Sequence, residues 1–281
     1  MARKRATLTD LLNDLTYKAM YEKFKLIAIN AFEWDGLPDG MTERHIERAL
    51  FQHGKAAFFK APRMGYMCLN CTENGRQNVY GDPLGYIAYG IGYQHQMDAD
   101  DCVIIENNKL RLPTEPFITF YANKLTEAER TMDVNIKACK TPVIFACDDK
   151  DVLTFKRIFS QVDGNVPAIF ADRGLNLDSI QAYQTGAKFL GKELQDYANA
   201  VENKLLTFLG VNNTPVDKKE RLVTDEANAN NQLIESFAQL QLEARQRACE
   251  EINAKFGLAV TVKRRESEVQ RDTLGQQQNN A

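Results

Sequence analysis

The chain has 281 residues, of which 44% are hydrophobic and 26% are charged, and its net charge is −3. This composition allows a substantial core in one or two domains, and it lacks the overall basic bias of many nucleic-acid-binding proteins. Charged residues (Arg3, Lys4, Arg5, Asp10) occupy the place of a signal peptide, and no apolar run reaches the ~20 residues of a membrane helix, so we expect a soluble, unexported protein.

Two helices are predicted in the first 54 residues, after a basic arm. Thr9 and Asp10 are candidate N-caps of the first helix, whose apolar residues recur at helical spacing until the sequence DGLPDG (35–40) ends it. Thr42 caps the second, shorter helix, and Gly54 stops it.

Residues 55–112 change to a β pattern of short aromatic or β-branched segments separated by Gly, Pro and Asn. The last segment, DCVIIENNKLRL (101–112), is typical of a hairpin that turns at Asn107–Asn108. The earlier strand segments are AAFF (56–59), GYMCLN (65–70) and GYIAYGIGY (85–93).

A helix is predicted over residues 114–139, where Pro116 lies in the first turn and Pro142 follows the end. Two similar strand segments come next, TPVIFACD (141–148) and VPAIFADR (166–173), with a short amphipathic helix at 153–159 between them.

The strongest periodicity predicts a helix of some thirty residues from Ser179 to Leu209, with a second helix over 233–256. Between these helices, the stretch KKERLVTDEANANNQLIESF (218–237) is highly polar, which predicts a long loop. Loops longer than ~12–15 residues are uncommon in compact domains and usually indicate function or disorder. The sequence LAVTVK (258–263) is typical of a final strand, and the tail from Glu266 is predicted to be disordered.

Motifs for catalysis are incomplete in this sequence. Cys68-x2-Cys71 has the spacing of half a zinc site, but no second pair follows, so free thiols are favoured for the six cysteines. The sequence GAKFLGKE (186–193) resembles a P-loop, but Glu193 occupies the position of the Mg²⁺-binding hydroxyl, and the segment lies inside the predicted long helix. No nucleophile, base and acid come together, which predicts a protein that is not an enzyme and needs no cofactor.

In their order along the chain, several segments resemble the upper-collar, or portal, proteins of small short-tailed phages with protein-primed genomes. The segments that carry this resemblance span nearly the whole chain: MARKR (1–5), AFEWDGLP (31–38), KTPVIFA (140–146), NVPAIFADRGLNLDSI (165–180), TFLGV (207–211), KKERLVTDEANANNQLIES (218–236) and RACEEINAKFGL (247–258).

The resemblance implies an α+β fold with a stem of long helices and a small β-rich, SH3-like wing, assembled as a twelve-subunit ring. The ring would form the channel at one capsid vertex through which double-stranded DNA is packaged and ejected. The implied parts are a basic arm with outer helices (1–54), the wing (55–112), stem helices (113–210) with intervening strands that contribute to the wing (140–172), a channel loop (211–235), a crown-side helix and strand (236–265) and a disordered tail (266–281).

The resemblance also implies candidate functional residues. The channel loop would contact DNA, and its charged residues from Asp217 to Glu235 sum to −2. The positions that resemble the family's stem lysines hold Glu193 and Ala198, so ordinary solvated helix charges remain the alternative for the stem candidates. The candidates are Lys218, Lys219, Arg221, Asp225, Glu226, Asn228 and Asn230 in the loop, Lys188, Lys192, Gln195 and Lys204 on the lumen side of the stem, and Arg3, Lys4 and Arg5 in the arm.

The implied partners are further copies of the chain in a dodecamer, double-stranded viral DNA, a packaging ATPase, a lower collar or tail protein, and the capsid and scaffold, with no membrane. The basic arm would bind a structural RNA or, equally, DNA or scaffold. The implied location is the head–tail vertex of the virion, after assembly in the bacterial cytoplasm. The alternatives are another virion or nucleic-acid-binding protein and a packaging NTPase.

Overall fold

The computed structural model describes residues 8–140, 143–146, 181–184, 188–212 and 224–265. It divides into two compact units, one formed by Met1–Leu125 with Ala200–Ala281 and the other by Thr126–Asn199. The described helices are α1 (Leu8–Ile29), α2 (Glu43–His53), α3 (Glu115–Lys140), α4 (Gly191–Phe208) and α5 (Thr224–Phe256).

The described strands form three antiparallel sheets. The largest has the order β5-β4-β3-β2-β6, and the two small sheets pair β1 with β9 and β7 with β8. The mixture of helices and antiparallel sheets confirms the predicted α+β class. The strands are β1 (Phe32–Asp35), β2 (Lys55–Ala61), β3 (Gly65–Glu73), β4 (Gly85–Gly90), β5 (Tyr93–Asp98), β6 (Cys102–Glu106), β7 (Val143–Ala146), β8 (Gln181–Gln184) and β9 (Thr261–Arg264).

Strand β2 is buried on both faces, which explains its apolar sequence KAAFFKA. Successive side chains of a strand point to opposite faces. Phe58 therefore packs in a cluster with α2, β1, β9 and the C-terminal part of α5, whereas Phe59 packs in a second cluster with β3, β4 and β5. The β-rich segment thus shares one of its cores with helices from both ends of the chain.

The predicted caps of α2 are confirmed. The backbone N–H of Thr42 donates to Nδ1 of His45 at 3.2 Å, while the N–H of Gly54 donates to the carbonyl of Leu50 at 2.9 Å. Gly54 has φ +74°, and a Cβ there would lie 2.0 Å from the carbonyl oxygen of Arg111. A residue without a side chain is therefore required where the chain turns from α2 into β2.

A buried ion pair connects α2 to α5. Arg245 donates to both carboxylate oxygens of Glu47, from Nε at 2.8 Å and from Nη2 at 2.7 Å, and both side chains are 2% exposed. The same guanidinium donates to the side-chain oxygen of Asn107 at 3.1 Å and lies 4.1 Å from the ring centroid of Phe32. Trp34 donates from Nε1 to Glu47 at 2.9 Å. The cluster therefore joins α2, α5, β1 and the segment after β6.

The predicted hairpin at Asn107–Asn108 is wrong. Strand β6 ends at Glu106 and pairs with β2, and no strand follows it in 107–112. The side-chain amides of Asn107 and Asn108 both donate to the carbonyl of Leu112 at 2.9 Å. These bonds close a loop that turns Asn107 inward to Arg245, so the two asparagines stabilise a loop instead of a two-residue turn.

The thirty-residue helix predicted from Ser179 is also wrong. Residues 181–184 form β8, which pairs with β7, and α4 begins only at Gly191. The apolar spacing of this stretch fits a helix, but the pairing with residues 143–146 overrides it.

Both ends of the first helix differ from the prediction. Helix α1 already includes Thr9 and Asp10, so neither residue is its N-cap. It ends at Ile29, and β1 follows before the sequence DGLPDG. The final strand is confirmed as β9, whereas VPAIFADR, the helix at 153–159 and the tail from Glu266 lie outside the described residues.

The buried ion pair yields a stability prediction. Replacing Arg245 by Leu leaves the Glu47 carboxylate buried without its cation, so we expect the free energy of unfolding to fall by about 3–5 kcal/mol. Replacing Lys23 by Met is the matched control, because its ion pair with Glu202 joins side chains that are 49% and 34% exposed. Loss of this exposed ion pair should lower the free energy of unfolding by less than about 1 kcal/mol. Urea unfolding at one protein concentration measures both values, and equal small losses would contradict the importance of the cluster.

Candidate functional surfaces

The end of α4 is packed tightly against α5. Phe208 stacks on Phe117 with ring centroids 4.5 Å apart and lies 5.7 Å from Phe237 of α5. Gly210 adopts φ +71°, and a Cβ there would lie 2.6 Å from the Cβ of Ala238. Two helices are thus held together immediately before the polar segment that joins them.

The predicted channel loop is shorter than expected, because α5 begins at Thr224. Asp225, Glu226, Asn228 and Asn230 therefore lie on the first two turns of this helix and not in a loop. The missed signal is the sequence Thr-Asp-Glu at 224–226, since acidic residues in a first turn interact favourably with the helix dipole. Asn230 is half-buried, and Lys218, Lys219 and Arg221 lie outside the described residues.

Helix α4 has one buried and one polar face. Ala198, Val201 and Leu205 are 5%, 6% and 0% exposed. Lys192 is exposed on the opposite face, and Gln195 is exposed at the edge of that face, where its side chain donates to the side chain of Asn199 at 2.9 Å. Helix α4 therefore presents a polar face to solvent along its length.

The other predicted stem residues are also placed by the structure. Lys204 is exposed on the flank of α4, and Lys188 is exposed just before the helix. Glu193 is exposed in the first turn of α4, whereas Ala198 is buried. A lysine at position 198 would therefore not reach solvent freely, and we infer that any exposed cations of α4 come from Lys192 and Lys204.

Asn135 of α3 fixes the start of α4. Its side-chain nitrogen donates to the carbonyl of Lys188 at 2.7 Å, and its side-chain oxygen accepts from the N–H of Leu190 at 2.8 Å. This pair of bonds holds the backbone of residues 188–190 and thereby sets where Lys192 stands on the helix.

The P-loop-like segment lies in a different context from the one predicted. Its described residues 188–190 precede α4 instead of lying within a helix, and its Gly191, Lys192 and Glu193 form the first turn of α4. The antiparallel pairing of β8 with β7 differs from the parallel strand that precedes a P-loop. Glu193 would still place a carboxylate where the motif needs a hydroxyl.

Cys68 and Cys71 cannot share a metal ion, because they point to opposite faces of β3. Cys68 packs in the cluster of Phe58, and Cys71 packs in the cluster of Phe59. Within the described residues, no three His, Cys, Asp or Glu side chains are grouped as metal ligands. Burial raises the pKa of Cys71 to about 12, of Cys102 to about 11 and of Cys249 to about 12.

The basic arm, with Arg3, Lys4 and Arg5, lies outside the described residues, so the structure does not test its predicted role. Where the chain is described, no helix combines the length and the apolar character that a membrane crossing needs.

Comparison with known proteins relates this fold to one class of virion component. A family model described as Phage Connector (GP10) matches residues 9–269. The chain is similar to a chain in the portal and tail of native bacteriophage P68, with a TM-score of 0.50 and 17% identity over 99% of both chains. At this identity the structural match concerns the fold alone.

Two other solved structures are similar at a lower level. One is a chain in the virion of a native gene transfer agent particle, with a TM-score of 0.47 and 12% identity over 95% of this chain and 85% of that chain. The other is an HK97-family phage portal protein from Corynebacterium diphtheriae, with a TM-score of 0.44 and 12% identity over 94% and 96%.

The Asn135 contact yields a local prediction. Replacing Asn135 by Ala removes both bonds to residues 188–190, and each is worth roughly 0.5–1.5 kcal/mol. We expect the amide of Leu190 to exchange with deuterium about tenfold faster. Asn123→Ala is the control, since within the described parts of the chain the Asn123 side chain donates only to the carbonyl of Thr119 in its own helix. Unchanged exchange in Asn135→Ala would show that other contacts hold the start of α4.

The buried thiols yield a pH prediction. Because the native thiols of Cys71, Cys102 and Cys249 hold their protons more tightly than unfolded thiols, their contribution to stability is complete below about pH 9 and is lost as the pH rises towards 11–12. At pH 8, a thiol reagent should therefore label these three residues only after unfolding. Peptide mapping with and without urea measures this, and rapid labelling of native Cys71 would contradict the described burial.

Proposed function

This chain belongs to the phage connector family and is a portal, or head–tail connector, protein; we propose that twelve copies form a ring whose axial channel conducts double-stranded DNA. The observation that carries the proposal is the junction of α4 and α5, where Phe208 and Gly210 anchor two helices. The sequence between these helices is polar over residues 213–223. In a ring, each copy would contribute this segment to the channel wall.

The charge of the segment suits a weak contact that allows DNA to slide. Within residues 213–223, three cations (Lys218, Lys219, Arg221) stand against two anions (Asp217, Glu220), a net charge of +1, and Asp225 and Glu226 in the first turn of α5 bring the sum to −1. A protein that neutralises many phosphates grips DNA tightly, with a strong dependence on salt. A wall with few cations among anions would hold the duplex weakly and allow it to slide.

The polar face of α4 supports the same proposal. Lys192 is exposed opposite the buried side chains of Val201 and Leu205, and Gln195 is exposed at the edge of the same polar face. In the ring this face would line the stem, where Lys188, Lys192 and Lys204 would be the cations nearest to DNA. Ordinary solvated helix charges are the alternative, and the position of α4 in the ring separates the two.

The remaining assignments extend the same proposal. The chain would have no catalytic activity, and a separate ATPase would drive packaging, since Glu193 occupies the position of the Mg²⁺ ligand in the P-loop-like segment. A lower collar or tail protein would bind one end of the ring, and capsid and scaffold would surround it. The arm would contact RNA, DNA or scaffold during assembly in the bacterial cytoplasm. ATP binding by the purified protein would favour the rival assignment as a packaging NTPase.

The segment between α4 and α5 yields a prediction about DNA. Replacing Lys218, Lys219 and Arg221 by Ala should leave ring assembly intact and reduce the number of stably filled heads by about tenfold, because contacts to phosphate are lost. Native mass spectrometry measures the ring, and the amount of protected genome measures filling. The matched control replaces three exposed lysines elsewhere by Ala, namely Lys18, Lys60 and Lys109.

An equal loss in the control would show that total charge matters and not this segment. A deletion for the same test is limited to residues 218–223, because 224–232 belong to α5. A deletion that abolished the ring itself would show that the segment is a packing element and would overturn the proposed contact with DNA.

A further inference from the structure

The loop between β3 and β4 presents two apolar side chains to solvent. Val79 is 94% exposed and Tyr80 is 88% exposed, and we refer to these two residues as the knob. The backbone around them is ordered by Asn78, whose side-chain oxygen accepts from the N–H groups of Tyr80 and Asp82, both at 2.9 Å. Gly81 completes the turn with φ +82°.

The fixed conformation of this loop favours binding of a partner more than it stabilises the isolated chain. Because Val79 and Tyr80 bury very little surface in the isolated chain, they contribute almost nothing to its hydrophobic core. A loop that is already held in one conformation loses little entropy when its tip binds a partner. Aromatic anchors of this kind commonly dominate the binding energy of interfaces.

A groove with complementary character lies between α2, the start of β3 and the end of β4. Its volume is about 540 Å³, and we refer to it as the groove. Met64 is 59% exposed and Ile91 is 108% exposed at its edge, with Met41, Met67 and Leu69 inside. Methionine side chains adapt to irregular partners and make favourable contacts between sulfur and aromatic rings, which suits a tyrosine.

The knob and the groove lie at opposite ends of one pair of strands. In the register of β3 and β4, Glu73 faces Tyr86 beside the loop that carries the knob, whereas Asn70 faces Tyr89 beside the groove. The four residue steps from Gly85 to Tyr89 alone span about 13 Å. The knob therefore cannot enter the groove of its own chain. Complementary patches at opposite ends of one subunit are what a head-to-tail ring contact needs.

Charge complementarity favours the same pairing. Asp82 stands beside the knob and is exposed. Arg48 lines the groove, and its Nε donates to Gln52 at a long distance of 3.4 Å. Among the described residues, no contact of Arg48 with a carboxylate is present. An incoming Asp82 would meet an available guanidinium, and the opposite charges would set the orientation of the docked loop.

We propose that the knob of one subunit docks into the groove of the neighbouring copy, so that adjacent β-rich modules are joined head to tail around the ring. This proposal rests on the proposed ring and specifies a contact that closes it. Tyr80 would enter among the methionines, Val79 would pack on the exposed Ile91, and Asp82 would pair with Arg48.

The experiment joins the two surfaces covalently. Tyr80→Cys and Ile91→Cys in the same chain, treated with a short bis-maleimide, should give a ladder of covalent oligomers up to the full ring. Tyr80→Cys with Met64→Cys is a second pair on the same groove. Wild type and each single variant are controls, and wild type reports any background from the native cysteines. A Tyr80→Cys single variant that gave dimers would indicate a knob-to-knob contact and overturn the proposal.

A second variant measures the strength of the contact. Val79→Ser with Tyr80→Ser should weaken subunit association by about tenfold to a hundredfold, seen as ring dissociation at higher protein concentration. Leu110→Ser is the matched control, because Leu110 is 76% exposed in a loop outside both surfaces. Circular dichroism checks that each variant remains folded.

The outcomes distinguish the contact between knob and groove from the proposed portal ring. A wild-type protein that forms no ring overturns both proposals. A normal ring without cross-links between knob and groove overturns only this contact and leaves the portal ring in place. If the knob variant formed normal rings but failed to enter capsids, the knob would bind the shell protein instead, which would also overturn the contact.

Discussion

The buried pair of Glu47 and Arg245 is the interaction on which the rest of this structure depends. Each charge is almost fully removed from water, so each needs its partner and the surrounding hydrogen bonds to remain buried. The bonds from Trp34 and to Asn107 complete this set and leave little freedom to the elements that carry them. Helix α2, helix α5, strand β1 and the loop after β6 consequently have one relative arrangement.

The length of α5 connects this fixed cluster to the polar segment. Arg245 lies 21 positions after Thr224, which corresponds to about 30 Å of helix. One end of α5 is therefore anchored in the core of Phe58 and Ile252, and the other end carries acidic and amide residues away from it. Because Gly210, just after α4, packs directly against Ala238 of α5, the end of α4 has a fixed position on α5 where the segment between them begins. This arrangement suits a polar contact on a rigid support, as passage of DNA would require.

Local signals predicted much of the fold, and contacts distant in sequence explain what they missed. Thr42 and Gly54 carry strong capping signals, and α2 begins and ends with them. Glu47 looks like a solvated residue of an exposed helix face, because its partner lies 198 positions away. Residues 181–184 follow a helical spacing, yet pairing with β7 makes them a strand. For the functional surfaces, the polar composition of residues 218–237 predicted a segment between two helices. The same composition continues into the first turns of α5, so it did not show that the segment ends at Thr224.

The most direct test of the account is an electron cryomicroscopy map of the purified assembly. The account predicts a closed ring with an axial hole, in which residues 213–223 face the hole and the Glu47–Arg245 pair is intact in every subunit. A particle without a hole, or a ring with this segment on its outer rim, would contradict the central claim.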